Sequence, residues 1–225
     1  MKPITTIRRD EVLRYLGYSG QPLSDDLLGE LSECESLVLS RARPAYVFRV
    51  FEFAETKDGI ALSGSTLVLG GEDIKAHLKG CKKLVLFAAT LSGESVRLID
   101  AAAVKSVSRA LLMDAAADAL IEQVCDAAEA EIRAEMPETH ATWRFSPGYG
   151  DFPVSLQNEI LTVLDAQRRI GLCATDSQLL TPRKSVTAVI GLSDEELPRK
   201  QRGCETCAAK KTCIYRKRGD RCDHN

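Results

Sequence analysis

The sequence predicts an α+β protein, a mostly antiparallel, twisted sheet flanked by long helices, with a short cysteine-rich tail behind it. Three observations predict it. Runs of aromatic, aliphatic and β-branched residues of strand length fall at Tyr46–Glu55, Leu84–Ala89 and Ser185–Leu192. Apolar residues recur at helical spacing in the long segments between them. Strands and helices do not alternate as parallel βαβ units require, so antiparallel pairing is expected. With 225 residues, 44% hydrophobic and 28% charged, the chain has the composition of a folded domain with a sizeable core.

Taken in order, Asp10 to Leu39 reads as helical with a break near Gly17–Pro22, and Leu23, Leu27, Leu28 and Leu31 form its apolar stripe. "YVFRVFEFAE", Tyr46 to Glu55, is a strand. Lys57-Asp58-Gly59 is a turn, followed by short strands at Ile60–Leu62 and Thr66–Leu69. Gly70 and Gly71 close that unit, and Asp73 is placed to cap a short helix ending at Leu78. The apolar run Leu84–Ala89 is the strongest strand signal. One long Ala-rich helix is expected from about Glu94 to Met136, with Ile121, Cys125, Ala128 and Ile132 on one stripe and Glu122, Asp126 and Glu129 beside it. Pro137 stops it. Leu156, Ile160, Val163, Leu164 and Gln167 mark another helix, Gly171 sits where its C-terminal cap belongs, and Ser185–Leu192 is a last buried strand. The chain contains no internal repeat and no low-complexity stretch.

No apolar run reaches the length of a membrane span, and the N-terminus "MKPITTIRRDEV" lacks a signal core, so a cytoplasmic location is expected. Thiols stay reduced there, and eight cysteines call for an explanation other than disulfides. The charge is split. Arg199 to Asn225 holds nine Lys or Arg against three acids, a net of +6, while the remainder is net −8. An acidic body with a basic, cysteine-bearing tail argues for two functional pieces.

The most unusual stretch is "TWRFSPGYGDFPVS", Thr142 to Ser155, too rich in Pro and Gly for a helix or a central strand. Two readings stand. In one, Pro147-Gly148-Tyr149-Gly150 is a turn against which Arg144 and Tyr149 pack. In the other, Arg144 offers a bidentate fork to a carboxylate, the glycines let a ligand approach the backbone, and Tyr149 stacks on a flat group. A ligand with a carboxylate at one end and an adenine at the other suits the second reading.

"RFSPGYGDFP" followed by "LQNEILTVLDAQRRIGLCATDSQLLTPRKSVTAVIGL" resembles the reactivation domain of cobalamin-dependent methionine synthase. Arg144, Pro147, Gly148, Tyr149, Gly171, Ser177, Pro182 and Ser185-Val186 stand in that family's order. "LVLFAATLSGESVRLIDAAAVKSVSRALLMDAAADALIEQV" is similar to the strand and long helix that precede its loop. The resemblance covers roughly Lys82 to Leu192, and the N-terminal part resembles small stand-alone relatives. It implies an activation-domain-like fold in which residues 1–80 form the N-terminal helical and strand region and 81–198 the core with the S-adenosylmethionine loop, while the charge split and the cysteines set 199–225 apart as a basic metal-binding tail. Arg144 is then the clamp on the carboxylate of S-adenosylmethionine, and Ser146 and Gly148 supply backbone contacts beside Pro147. Tyr149 faces the cobalamin, and Glu138, six positions before Arg144, contacts the ligand's amino group. A tyrosine that the family places beyond Gly191 has no evident counterpart. The implied chemistry is repair. Reduction of an inactive cob(II)alamin is uphill, and methyl transfer from the sulfonium traps the reduced product, so positioning rather than acid–base work is required. The stretch "IKAHLKG" gives His77-x-x-Gly80 of a cobalamin lower-ligand motif, but Lys75 occupies the aspartate position; the cobalamin is expected on a partner.

In the tail, Cys204, Cys207, Cys213 and Cys222 are spaced for zinc or an iron–sulfur cluster, with His224 an alternative to Cys222. Cys34, Cys81, Cys125 and Cys173 lie among apolar residues and read as small buried hydrophobes. The basic tail suits an acidic partner such as flavodoxin, ferredoxin or the corrinoid protein. The acidic body and the lack of interleaved aromatics argue against nucleic acid. The expected function is reactivation in trans of a methionine synthase lacking its own activation domain, or of another corrinoid protein. The alternatives are a non-catalytic corrinoid-partner or electron-transfer module, and a zinc-dependent nucleic-acid or regulatory adaptor.

Overall fold

The structure, a computed structural model, describes residues 3–18 and 20–197. The four tail cysteines 204, 207, 213 and 222 lie outside the described residues. Helices α1 (Arg9–Tyr15) and α2 (Asp25–Arg41) flank the break predicted at Gly17–Pro22, and the Ser24 side chain accepts from the Leu27 N–H to cap α2. Then come β1 (Ala45–Thr56), β2 (Gly59–Leu62), β3 (Val68–Leu69), α3 (Glu72–Leu78) and β4 (Lys83–Thr90). The turn into β2 needs a glycine: Gly59 has φ +141°, and a Cβ there would stand 2.3 Å from the Leu69 carbonyl oxygen.

Helices α4 (Ser92–Lys105) and α5 (Val107–Glu135) replace the single helix expected from Glu94 to Met136. Ser106 breaks it. Its backbone is extended, and its hydroxyl accepts from the Arg109 N–H at 3.2 Å, so it ends one helix and caps the next. Strand β5 (His140–Ala141) and a 3-10 turn (Val154–Leu156) lead to α6 (Gln157–Leu164) and α7 (Ala166–Ile170). The helix expected through Gln167 is interrupted at Asp165, which is left-handed at φ 53°, and Gly171 caps α7 in the same region at φ 67°. The hairpin β6 (Cys173–Ala174) and β7 (Leu180–Thr181) precedes β8 (Ser185–Ser193).

Six strands form one antiparallel sheet in the order β3-β2-β1-β4-β8-β5, the α+β architecture expected. Every residue of β4 except Lys83 is buried, because helices cover both faces. Alternation along the strand divides the core in two. Val85, Phe87 and Ala89 of β4, with Ala188 and Ile190 of β8, face α5 and its neighbours α1, α2 and α4. Leu84, Leu86, Ala88 and Val189 face α3, α6 and α7. Burying Phe87 alone stabilises by about 1.5–3 kcal/mol. Alanines 115, 116, 119 and 128 are buried on α5, and their small side chains let a helix about 43 Å long lie close against the sheet. Among the described residues no helix is long and apolar enough to cross a membrane.

Candidate functional site

The chain enters the site as an edge strand on β8. Thr142 N–H donates to the Gly191 carbonyl at 2.9 Å, and Phe145 exchanges both main-chain bonds with Val189 at 2.9 and 2.8 Å. Gly191 makes this approach possible, since a Cβ there would lie 2.5 Å from the Cys81 sulfur. Period-two alternation then sends neighbouring side chains to opposite faces. Trp143 and Phe145 join the α3/α6 side, and Arg144 turns to α5.

Arg144 meets three carboxylates there. Its Nη1 donates to Glu129 at 2.8 Å, and its Nη2 to Glu122 at 3.0 Å and Asp126 at 2.9 Å. The side chain is only 11% exposed. Burial opposes its charge, but the facing Cys125 sulfur and the three carboxylates outweigh that and raise its pKa. Asp126 also pairs with Arg8 at 2.8 Å and Glu129 with Arg133 at 2.6 Å, so the cluster joins α5, the N-terminal segment and the loop. Cys125 is buried within it, and burial pushes its thiol up, which leaves it inert at neutral pH. Glu138 lies on the exposed turn after α5. Six residues of largely extended chain, up to about 20 Å, separate it from Arg144. The carboxylates that reach the guanidinium come from α5. Their i, i+4, i+7 spacing was visible beside the apolar stripe of that helix, but their long-range partner was not.

Beyond Phe145 the loop folds on itself. Tyr149 N–H donates to the Ser146 carbonyl at 3.0 Å, Gly148 N–H to Phe152 at 2.8 Å and Phe152 N–H to Tyr149 at 3.0 Å. Pro147 and Gly148 thus form a tight turn whose main-chain donors are used internally. The loop is pinned to α3 by a reciprocal exchange. The Asp151 carboxylate accepts from the Glu72 and Asp73 N–H groups at 2.7 and 2.9 Å, while Asp151 N–H donates to the Asp73 carboxylate at 3.1 Å. The cap of α3 therefore comes from Asp151, and Asp73 accepts in return rather than capping its own helix. Main-chain donation holds the Asp151 carboxyl below the usual carboxylate range. Gly150 is required at this dock: its φ is +55°, and a Cβ would sit 1.9 Å from Asp73 Oδ2.

On this face the rings of His77, Trp143, Phe145, Tyr149 and Phe152 cluster with centroids 4.8–6.2 Å apart. His77 is buried, bonded through Nε2 to the Thr142 hydroxyl at 2.8 Å and stacked on Phe145. It belongs to the core. Tyr149 is the outermost ring at 49% exposed. Pro182 follows a cis peptide bond, and its carbonyl accepts from the Ser185 hydroxyl at 2.6 Å. Cys34 and Cys125 are buried and Cys81 and Cys173 half-buried, all four unbridged. An open depression of about 460 Å³, lined by Ser32, Glu33, Ser36, Leu37 and Arg109, lies at the other end of α5. Its charges, Glu33 and Arg109, already pair at 3.1 Å. Among the described residues no group of His, Cys, Asp and Glu is arranged to hold a metal.

No family model matches the sequence, and no curated protein matches it either. A crystal structure of the MetH reactivation domain bound to AdoHcy is similar, with a TM-score of 0.64 at 15% identity over 95% of this chain and 82% of that chain. Twisted antiparallel sheet, helices on both faces and near-complete coverage together give the chain the fold of the MetH reactivation domain.

Proposed function

We propose that this chain is an S-adenosylmethionine-binding reactivation protein, acting in trans on a cobalamin-dependent methionine synthase without its own activation domain or on a related corrinoid protein. The observation that carries the reading is the fold shared with an AdoHcy-bound reactivation domain along almost the whole chain. The division into residues 1–80, 81–198 and a metal-binding tail over 199–225, and the cytoplasmic location, belong to the same proposal.

The charges at Arg144 suit such a ligand. S-adenosylmethionine has two cationic centres and one carboxylate, and here three carboxylates surround one guanidinium. To grip the ligand carboxylate, Arg144 exchanges one of its present partners for it. Glu122 and Asp126 are the most exposed and therefore cost least to release. The freed α5 carboxylate then faces the ligand's ammonium, a role the sequence reading gave to Glu138. The ligand supplies a methyl group at a sulfonium, and the chain's own work is orientation. Tyr149, exposed on the loop, is the side chain presented to the partner's cobalamin.

One observation favours a second reading, a corrinoid-partner module whose ligand site is idle. Arg144 is already triply ion-paired, and Gly148 and Gly150 have conformational reasons to be glycine without any ligand. Calorimetric titration with AdoHcy and S-adenosylmethionine separates the two. The first reading expects saturable binding that Arg144→Met abolishes and Tyr149→Ala leaves intact, with Tyr149→Ala impairing reactivation of a truncated methionine synthase. Absence of binding by the wild-type chain selects the second.

A further inference from the structure

We propose that Arg8 is a second arm of the carboxylate clamp, so that a ligand carboxylate is held between Arg8 and Arg144; the inference rests on the S-adenosylmethionine-binding function. A side chain of the fold already occupies that position. Asp126 Oδ1 accepts from Arg144 Nη2 at 2.9 Å, and its Oδ2 accepts from Arg8 Nη2 at 2.8 Å. Each carboxylate oxygen thus has its own guanidinium, one from the loop strand and one from the N-terminal segment. Two arginines grip a free carboxylate in the same way. Asp126 stands where the ligand's carboxylate goes.

Arg8 is held there by its main chain rather than by the ion pair. Its N–H donates to the Gln123 side-chain carbonyl at 2.8 Å, and the Gln123 amide donates to the Thr6 carbonyl at 3.0 Å. The Arg8 carbonyl accepts from the Val12 N–H at 3.1 Å, and Ile7 beside it is buried. The backbone is therefore fixed to α5 and α1 whatever the guanidinium pairs with. That guanidinium does nothing for α1. It makes no side-chain cap bond, and a cation at a helix N-terminus has the wrong sign for the helix dipole. Nor does the pair hold the fold together. Both side chains are 46% exposed, where water screens an ion pair to little net worth. A weakly held, exposed carboxylate between two positioned guanidiniums is the one a ligand displaces most readily.

The exchange keeps the charges balanced. Arg144 retains Glu122 and Glu129 and gives up one bond, and Arg8 supplies the second bond to the ligand. The released Asp126 then faces the ligand's ammonium, which sits on the carbon that bears the carboxylate. The two arms thereby select ligands that carry the whole amino-acid head.

Calorimetric titration of the full chain with AdoHcy, and with its decarboxylated analogue that keeps the nucleoside and the ammonium, tests this. Arg8→Met should weaken AdoHcy binding by about ten- to a hundredfold. It should leave the analogue within about twofold of its wild-type affinity, because both changes remove the same contact. Arg8→Lys keeps the charge, loses the fork and should recover part of the AdoHcy affinity. A substitution that only disturbed the fold would weaken both ligands alike, and that result overturns the proposal. Undiminished AdoHcy binding by Arg8→Met overturns it as well and leaves the binding function standing. Absence of AdoHcy binding by the wild-type chain overturns both.

Discussion

Replacing Arg144 with methionine keeps most of the side-chain volume and removes the charge that holds the loop strand to α5. The cost follows from what remains. Removing one partner of a buried pair costs about 3–5 kcal/mol, because the other is left uncompensated. Here the three legs are not equal. The Glu122 and Asp126 side chains are 37% and 46% exposed, and water screens each of those legs to below about 1 kcal/mol. The Glu129 side chain is 18% exposed and carries most of the effect. The expected loss is therefore about 2–4 kcal/mol, near the lower part of the buried-pair range. For a domain of this size that lowers Tm by about 6–12 °C. Urea unfolding of the wild type, Arg144→Met, Glu129→Gln and the double variant measures it. The double variant should regain part of the loss, with a coupling of about 1–3 kcal/mol, since removing both charges leaves no stranded carboxylate. A cost below about 1 kcal/mol, or strict additivity, would refute the view that this cluster locks the loop strand to the helix.

Asp151→Asn should lower Tm at neutral pH by weakening the exchange with α3. The Asp151 pKa is depressed in the fold, so its contribution is present above the ordinary carboxyl value of 3.8 and is lost as pH falls through the lower folded value. The wild-type and variant acid-unfolding curves should therefore converge at the acid end, and parallel curves would discount the dock. Gly150→Ala forces a left-handed alanine against Asp73 and should cost about 1–3 kcal/mol by urea unfolding. An unchanged midpoint would mean that the loop does not sit on α3. For the tail, elemental analysis of the purified chain should find zinc or iron that Cys207→Ser with Cys213→Ser removes, and a metal-free wild type would dismiss the site.

The long strands and the helix stripes were legible because burial on one or both faces writes itself into periodicity. Leu84–Ala89 reads as a strand for that reason, since both faces of β4 are covered. β5, β6 and β7 are two residues each, too short to leave a pattern, and only their partners define them. The break at Ser106 could have been found, because a serine three residues before the N–H it caps is a local signal inside an otherwise continuous Ala-rich run. The left-handed Asp165 left none that outweighed the apolar repeat around it. At the site, the unusual composition of the loop was plain, but the reason for its glycines was not. Gly150 answers to Asp73, seventy-seven residues upstream in the chain, and a contact at that separation has no local signature.

The same alternation that built the sheet sets a geometric condition on the proposed function. Arg144 and Phe145 are neighbours, yet one reaches α5 and the other the aromatic cluster on which Tyr149 rests. A ligand held by the arginine and presented to a partner by the tyrosine must therefore pass around the free edge where the chain leaves β8 after Phe145. The two sides are anchored differently, Arg144 by the carboxylates of α5 and the Tyr149 loop by the Asp73–Asp151 exchange with α3. Loosening the α3 dock reorients the tyrosine without touching the guanidinium, and discharging the α5 cluster does the reverse. Under the proposed function, ligand affinity and partner reactivation should thus be separable, each answering to its own face of the sheet.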